Sequence, residues 1–371
     1  MTHVLRPDWA GRLQRVQSSL AADGLDALVV STPLNLTYLT GFTGSAGLLV
    51  LTSHSRYLLL DGRYEVAARE RIAGGTLARV TVERVETRFD MSLAALLARE
   101  GLAHVGFEAG HTTVATLGRW QSAATAVRFQ ATERIVERWR AVKDAGEMVI
   151  FRRAARLLSD VARDLGRLVG ANRTEREIAA AIDDALLGAG FEGPSFPTIV
   201  ASGPLSAHPH ARPTDRRPVA GDLVLLDFGG VLDGYCVDLT RMAVVGPPGP
   251  EAVALYEGVA AAHQAAIQAV RPGVVAWTID RAARQVLEDR GLGTAFAHGT
   301  GHGLGLEIHE APRIARAESD GTDTIEAGMV FTIEPGAYRE HVGGVRLEDD
   351  VLVTPDGSEV LTDAPRALLV V

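Results

Sequence analysis

Two aspartates interrupt apolar runs on either side of a predicted tight turn, and they restrict the fold more than any other feature of the sequence. Asp227 follows the run Val224-Leu225-Leu226, and Asp238 lies further along in LLDFGGVLDGYCVDLTR. Between them, Asp233-Gly234 is a dipeptide favoured in two-residue hairpin turns, so the segment predicts two antiparallel strands. Because side chains alternate along strands, both aspartates are expected on one face, directly opposite each other or one pair apart.

This arrangement is unfavourable unless something offsets the charge. Like charges that face each other across a strand pair destabilise it. Burying an unpaired carboxylate costs several kcal/mol, by order of magnitude. A bound cation removes both objections. The alternative is that one aspartate caps a turn and the other pairs with Arg241.

Two glutamates occupy similar positions. Glu334 ends the apolar run 329–333, and Glu348 follows Val345-Arg346-Leu347 in a second predicted strand. The alternative for each glutamate taken singly is a solvated charge at a strand end, which is the commoner position of glutamate.

Histidines and glycines crowd the stretch HGTGHGLGLEIHE, residues 298–310. The glycines allow close approach of the backbone to another group. Beyond His302, apolar Leu304, Leu306 and Ile308 alternate with polar residues, so we expect a strand at the lip of a pocket.

Taken together, two aspartates, one histidine and two glutamates form an oxygen-rich ligand set. With a single imidazole, it suits a pair of Mn²⁺-like ions better than structural zinc. The zinc-protease signature H-E-x-x-H is absent, because His309-Glu310 continues into Ala-Pro-Arg. Two such cations would act as a Lewis acid and as a source of hydroxide near neutral pH.

Length and composition narrow the class of protein. A chain of 371 residues favours two domains. The net charge of −9 at pH 7 argues against nucleic-acid binding. The single cysteine, Cys236, excludes an internal disulfide framework. No signal peptide and no apolar run of membrane-spanning length is visible, so we expect a cytoplasmic protein without membrane partners.

The order of predicted elements separates two regions. Strands interleaved with helices predict a compact α/β domain over residues 1–132. Residues 133–371 mix antiparallel strands with helices, which is typical of an α+β domain. In this second region, Thr174 and Glu177 form a capping-box pattern that predicts a helix start.

In order and context, the ligand set resembles that of the "pita-bread" (M24) metallopeptidases, which include prolidases, aminopeptidases P and methionine aminopeptidases. The resemblance implies a C-terminal pita-bread fold preceded by a smaller creatinase-type N-terminal domain. It implies two divalent cations per subunit, with Mn²⁺ expected and Co²⁺ or Zn²⁺ as alternatives. The implied ligands are Asp227, Asp238, His302, Glu334 and Glu348. Relatives are often homodimers, and we expect one here.

The resemblance also implies roles for other residues. Glu334 is expected to shuttle a proton as well as bind metal. His210 is expected to border the substrate pocket, and His309 to support the tetrahedral intermediate. His298 and Arg346 are expected to contact substrate or to orient groups around the metals, with a purely structural role as the alternative. Apart from the resemblance, strand alternation predicts that Cys236, near the second aspartate, points away from the metals and packs in the core.

The implied reaction is hydrolysis of the bond before proline at the free N-terminus of a peptide. Asp61-Gly-Arg63-Tyr64 resembles the D-x-R-Y signature of small bacterial aminopeptidases P, which favours that enzyme. The resemblance implies that Asp61, Arg63 and Tyr64 contact the substrate. The alternative for the motif is a strand-end turn with a local Asp–Arg pair. Arg313 favours a prolidase restricted to Xaa-Pro dipeptides, because it could hold a C-terminal carboxylate.

Two further hypotheses are open at this point. Methionine aminopeptidases share the ligand set, but usually lack an N-terminal domain of this size. A non-enzymatic binding module on the same fold would be expected to lose ligands, and none is missing here.

Overall fold

The structure, a computed structural model, describes residues 7–169, 172–319 and 321–371. The described chain divides into two compact units, residues 7–140 and 141–371. The expectation that no signal peptide is present rests in part on residues 1–6, which lie outside the described residues.

The 7–140 unit alternates helices and strands, as predicted. Its helices are α1 (Trp9–Leu20), α2 (Pro33–Thr40), α3 (Glu65–Ala73), α4 (Phe89–Arg99) and α5 (Val114–Ala123). Its strands are β1 (Ala27–Val30), β2 (Leu48–Thr52), β3 (Arg56–Asp61), β4 (Thr81–Val85), β5 (His104–Glu108) and β6 (Arg128–Thr132). Helix α6 (Glu137–Ala141) follows at the division between the units.

These six strands form one mixed sheet in the order β4-β3-β2-β1-β5-β6. Strand β1 pairs antiparallel with β2 and parallel with β5, and all four of its residues are buried, so the middle of the sheet is covered on both faces. Leu93 and Leu97 from α4 and Trp120 from α5 pack on one face against Val29 and Val105. The predicted α/β domain is therefore confirmed.

The 141–371 unit contains the longest helices, and most of its strand pairs are antiparallel. Its helices are α7 (Ala145–Arg163), α8 (Leu165–Leu168), α9 (Glu175–Ala189), α10 (Pro250–Ala269) and α11 (Ala276–Asp289). The strands up to residue 314 are β7 (Gly193–Pro194), β8 (Ile199–Ser202), β9 (Leu223–Leu232), β10 (Tyr235–Val244), β11 (Gly301–Gly303) and β12 (Glu310–Ile314). The remaining strands are β13 (Val330–Ile333), β14 (Gly336–Arg339), β15 (Gly343–Arg346), β16 (Asp349–Thr354), β17 (Gly357–Val360) and β18 (Leu369–Val370).

Two five-stranded sheets and one hairpin form the β-structure of this unit. One sheet has the order β18-β10-β9-β7, with β8 also paired to β9. The other has the order β12-β11-β13-β16-β17, and β14 pairs with β15. Helices α10 and α11 cover the strands through a core that includes Leu255, Val259, Ile279, Phe331 and Val351. This mixture confirms the predicted α+β class.

Helix α9 begins where the sequence predicts. Thr174 accepts a hydrogen bond from the Glu177 amide, and the Glu177 side chain accepts one from the Thr174 amide. The reciprocal pair satisfies two backbone donors that a helix start would otherwise leave unpaired.

Among the helices of the described residues, none has both the length and the apolar composition that crossing a bilayer requires.

Candidate metal centre and active site

The hairpin of β9 and β10 holds the two aspartates on one face. Asp227 pairs with Thr240, and Asp238 pairs with Gly229, so the aspartates are one pair apart. The turn at Asp233-Gly234 has positive φ at both residues, 49° and 80°, as the predicted two-residue turn requires. The hairpin prediction is confirmed, with the second of the two predicted registers.

The alternative in which Arg241 neutralises one of these aspartates is wrong. Arg241 donates to Asp349 Oδ1 at 2.7 Å and to the Glu348 carbonyl at 2.6 Å. Strand alternation turns Arg241 to the opposite face of β10 from Asp238. Its hydrogen bond to the Glu348 carbonyl therefore holds the backbone of a predicted ligand in place.

The segment around His302 is more irregular than predicted. Strand β11 covers only 301–303, and residues 305–309 form bends before β12 begins. The expected strand beyond His302 is therefore wrong. The register of β11 against β12 shifts between His302 and Gly303, which ends the regular alternation at that point.

Glycine on either side of His302 is a requirement of packing. A Cβ at Gly301 would lie 1.9 Å from the Thr332 carbonyl oxygen, and one at Gly303 would lie 2.1 Å from the Ala311 carbonyl oxygen. The backbone on both sides leaves no room for a methyl group, so His302 is held between two neighbouring strands.

One cavity of about 850 Å³ brings all the predicted ligands together. Glu334 directly follows β13, and Glu348 lies between β15 and β16. His302 Nε2 is 3.8 Å from Asp238 Oδ2 and 3.7 Å from Glu334 Oε1. The predicted ligands that line the cavity are Asp227, Asp238, His302, Glu334 and Glu348.

Without a cation, three of the predicted ligands, Asp238, Glu334 and Glu348, resist ionisation. Burial raises the pKa of Asp238 and of Glu348 well above the usual range, and the neighbouring carboxylates raise both further. Burial raises the pKa of Glu334 to about 7, against the opposing effect of Arg346. Burial also lowers the pKa of His302 to about 3, which keeps its imidazole neutral, the form that binds metals.

Two orphaned oxygens indicate that the residue set fits a cation. Asp227 Oδ1 and Asp238 Oδ1 are buried, and within the described part of the chain neither has a hydrogen-bond partner. In addition, one ligand atom each from Asp238, His302 and Glu348 lies within 4.8 Å of the others. Unsatisfied buried oxygens converging with a neutral imidazole are what a divalent cation would stabilise.

Arg346 ties the first aspartate to its surroundings. Its Nη2 donates to Asp227 Oδ2, and its Nε donates to Thr240 Oγ1 at 3.2 Å. Thr240 Oγ1 in turn donates to Glu348 Oε2 at 2.6 Å. The prediction that Arg346 orients a carboxylate agrees with these contacts, while contact with substrate remains a prediction.

His298 is half-buried and is not among the residues that line the cavity. Its Nδ1 is 2.7 Å from the Gly299 carbonyl oxygen, which can only accept, so Nδ1 carries the proton. Burial lowers its pKa to about 4, so the ring is neutral and Nε2 accepts from the Tyr338 hydroxyl at 2.8 Å. Tyr338 accepts from Arg346 Nη1 at 2.8 Å. These contacts agree with the structural alternative for His298, and a substrate contact remains a prediction.

His210 and His309 both line the cavity. The His309 ring meets the His302 ring edge to face, with centroids 4.3 Å apart. Burial lowers the pKa of His309, and the charge of Arg313 lowers it further. A neutral His309 ring beside the predicted ligands can donate a hydrogen bond into the cavity.

Asp61, Arg63 and Tyr64 belong to the 7–140 unit and form a local cluster there. Arg63 Nη2 donates to Asp61 Oδ2 at 2.8 Å, which lowers the pKa of Asp61. The Arg63 guanidinium lies 5.1 Å from the centre of the Tyr64 ring. The strand-end turn with a local ion pair is therefore present, and contact of the three residues with a substrate remains a prediction.

The prediction that strand alternation turns Cys236 away from the metals is wrong. Residues two apart share a face, so Cys236 lies on the same side of β10 as Asp238. It is nevertheless buried and does not line the cavity. Burial and nearby carboxylates raise the pKa of its thiol to about 12, so its predicted packing role is reasonable.

Two hydroxyl residues of the site were not predicted. Thr240 is two residues beyond Asp238 on the same face, so strand alternation alone could have identified it. Nothing in the sequence indicates a role for Tyr338, because its contacts with Arg346 and His298 form only when the chain is folded.

Comparison with known proteins agrees with this geometry. The profile of the family described as "Metallopeptidase family M24" matches residues 149–355. The profile described as "Creatinase/Prolidase N-terminal domain" matches residues 12–142. An Xaa-Pro dipeptidase of Pyrococcus furiosus is 32% identical over 360 residues, which cover 96% of this chain and 99% of that protein.

Solved structures show the same similarity over nearly the whole chain. The Xaa-Pro dipeptidase from Bacillus anthracis has a TM-score of 0.93 at 30% identity, covering 98% of this chain and 100% of that one. The X-Pro aminopeptidase from Thermotoga maritima has a TM-score of 0.85 at 31% identity, covering 94% and 98%. The chain belongs to the M24 metallopeptidases of pita-bread fold, with a creatinase-type N-terminal domain ahead of the peptidase domain.

Proposed function

We propose that this chain is an Xaa-Pro dipeptidase, a prolidase, that works with two divalent cations, Mn²⁺ being the expected metal. The observation that carries the proposal is full-length similarity to proteins named Xaa-Pro dipeptidases, from Pyrococcus furiosus and Bacillus anthracis. These comparisons favour the dipeptidase, the alternative in the sequence analysis, over aminopeptidase P. The creatinase-type domain over 12–142 counts against a methionine aminopeptidase.

Arg313 supplies the chemistry that a dipeptidase needs. It is the cross-strand partner of His302, so both side chains project from the same face of the sheet. Arg313 is exposed, and no ion pair or hydrogen bond holds its guanidinium within the described residues. A free guanidinium near the ligand set is suited to bidentate binding of a C-terminal carboxylate. That carboxylate lies next to the scissile bond only in a dipeptide.

The other residues take complementary roles in this proposal. Asp227, Asp238, His302, Glu334 and Glu348 hold the cations. When bound, the cations supply a Lewis acid and a source of hydroxide near neutral pH.

Glu334 holds and releases a proton, which the leaving proline nitrogen must receive. His309 donates a hydrogen bond to the oxyanion that develops on the scissile carbonyl. His210 borders the bound peptide. The apolar cavity wall includes Phe196, Ile199 and Ile308, which suits the proline ring and an apolar N-terminal residue.

The test compares three peptides with one N-terminal residue in common: Xaa-Pro, its C-terminal amide, and Xaa-Pro-Yaa. We expect the dipeptide to be cleaved far better than the other two. Arg313→Gln should raise KM for the dipeptide about tenfold or more with a smaller effect on kcat, since a charge-assisted pair contributes roughly 1.5–3 kcal/mol. Arg316→Gln, an exposed arginine three residues on, is the matched control and should leave KM unchanged.

Preferred cleavage of the tripeptide, with Arg313→Gln indistinguishable from the control, would identify an aminopeptidase P instead. The similarity to the Thermotoga maritima X-Pro aminopeptidase makes this the second candidate. A homodimer and a cytoplasmic location remain predictions. Light scattering after size-exclusion chromatography tests the first, and cell fractionation tests the second.

A further inference from the structure

Helix α11 carries a buried carboxylate that holds the loop in front of His302. Asp280 Oδ1 accepts the Thr300 amide at 3.1 Å and the Thr300 hydroxyl at 2.8 Å. Asp280 is 1% exposed and Thr300 is fully buried. Neither residue lines the cavity at the predicted ligands.

Thr300 links this carboxylate to two predicted ligands at once. Its carbonyl accepts the Glu334 amide at 2.7 Å, and His302 lies two residues further along the chain. The His302 amide donates to the Thr332 hydroxyl at 3.2 Å, two residues before Glu334. Asp280 therefore fixes the distance between the His302 and Glu334 backbones, because it holds Thr300 in place.

Arg284, one helical turn along α11, binds both Asp280 and the loop that Asp280 holds. Its Nε donates to Asp280 Oδ2 at 2.6 Å, which orients the carboxylate toward Thr300. It also donates to the carbonyls of Phe296 and His298, and its guanidinium lies 4.2 Å from the centre of the Phe296 ring. Residues 296–300 are thus fixed by side chains of a helix that contributes nothing to the cavity wall.

We infer that Asp280 is a positioning residue, which acts through Thr300 to hold His302 and Glu334 at the spacing that divalent cation binding requires. The inference rests on the proposed metal-dependent function. Outer partners of metal ligands typically contribute roughly 10–100-fold to metal affinity. Asp280 reaches the ligands through the backbone rather than through a ligand side chain, so its effect should appear in metal affinity itself.

Calorimetric titration with Mn²⁺ alone tests this without any substrate. Asp280→Asn should raise the Kd for Mn²⁺ about tenfold, because the amide cannot pair with Arg284 and hold Thr300 as before. Thr300→Val, which removes only the hydroxyl, should raise Kd in the same direction, while Thr300→Ser should bind like wild type. The double variant should be no weaker than the worse single variant, because both changes break one connection.

Asp289→Asn is the matched control, since Asp289 is an exposed residue on α11 whose side chain accepts from Gln285 alone among the described residues. An Asp280→Asn protein that melts earlier but binds Mn²⁺ as tightly as this control would overturn the inference, because the role would then be stability alone. If Asp280→Asn does not fold, equal Mn²⁺ affinity of Thr300→Val and Thr300→Ser would overturn it as well. Failure to cleave Xaa-Pro peptides would reject the proposed function while leaving these Mn²⁺ affinities to decide the inference.

Discussion

Glu334 is the residue at which burial and charge act most directly against each other. Burial raises its pKa to about 7, while the nearby guanidinium of Arg346, 4.0 Å from Oε2, favours the ionised form. A carboxyl group near neutral pKa exchanges protons readily under physiological conditions.

Glu334→Gln should lower kcat for an Xaa-Pro dipeptide by roughly 10²–10⁴-fold, because the amide cannot take up and return a proton. KM should change much less. Steady-state kinetics measure both constants, and the metal content of the same sample is determined by mass spectrometry.

Glu340→Gln serves as the control, since Glu340 is exposed on the turn that follows β14. Turnover by Glu334→Gln at the wild-type rate with metal bound would exclude Glu334 as the proton carrier.

At the residue scale, the sequence predicts the charges of the site better than their partners. Asp227, Glu334 and Glu348 were recognisable because each ends an apolar run where an isolated charge is costly. The alternative interpretation pairs Arg241 with one of the two aspartates, but its partner is Asp349, 108 positions away, and only the fold joins them. The same holds for Asp280 and Thr300, because a carboxylate on a helix carries no sign of the loop that it will hold.

At the element scale, the stretch that follows His302 shows the limit of periodicity. Leu304 and Leu306 alternate as in a strand, and both are buried as expected. Their burial comes from a series of bends, because the ladder shifts register at Gly303 and cannot continue. Alternation predicted which side chains are buried, but not the backbone path that buries them.

Gly301→Ala should destabilise this element severely. The added methyl group would lie 1.9 Å from a backbone oxygen of Thr332, and neither strand can move away without breaking its pairing. We expect a loss of several kcal/mol in the free energy of unfolding, at the upper end for single substitutions. Denaturant unfolding of the metal-free protein measures it.

Gly188→Ala is the matched comparison, since a Cβ at this position in α9 meets nothing within 4 Å. It should stabilise the protein by about 0.5–1 kcal/mol through helix propensity. If Gly301→Ala were tolerated as well as Gly188→Ala, the close approach of β11 and β13 would not be a constraint.

At the scale of the whole molecule, the carboxylate cluster couples stability to pH and metal. The folded-state pKa of Asp238, Glu334 and Glu348 lies above the value in an unfolded chain. Between about pH 4.5 and 7 the folded protein therefore binds more protons than the unfolded one, and its stability falls as pH rises.

The metal-free protein should accordingly melt at a lower temperature at pH 8 than at pH 5.5. Saturating Mn²⁺ should reverse this trend, because cations bind the ionised carboxylates. Differential scanning calorimetry with and without Mn²⁺ measures the effect. In metal-free Glu334→Gln the dependence of melting temperature on pH should be weaker. An identical dependence in this variant and the wild type would contradict the raised pKa of Glu334.

The sequence also predicts the overall organisation, with two differences. The domain limits of 1–132 and 133–371 remain a prediction, while the compact unit in the structure extends to residue 140. Aminopeptidase P was favoured on the short motif at Asp61, whose side chains make an ion pair of their own, and the similarity to Xaa-Pro dipeptidases favours the other enzyme. A short motif cannot report whether its residues are free to meet a substrate.

The tight contact between Gly301 and Thr332 has a consequence for how such an enzyme can diversify. This contact leaves no room for an added atom, so substitutions at Gly301 should be rejected in evolution and in laboratory redesign alike. The cavity wall at residues 196–199 and 210–213 lies mostly outside regular strands and is free of this constraint. New peptide preferences should therefore arise by substitution of residues in the cavity wall, while the predicted metal ligands stay unchanged.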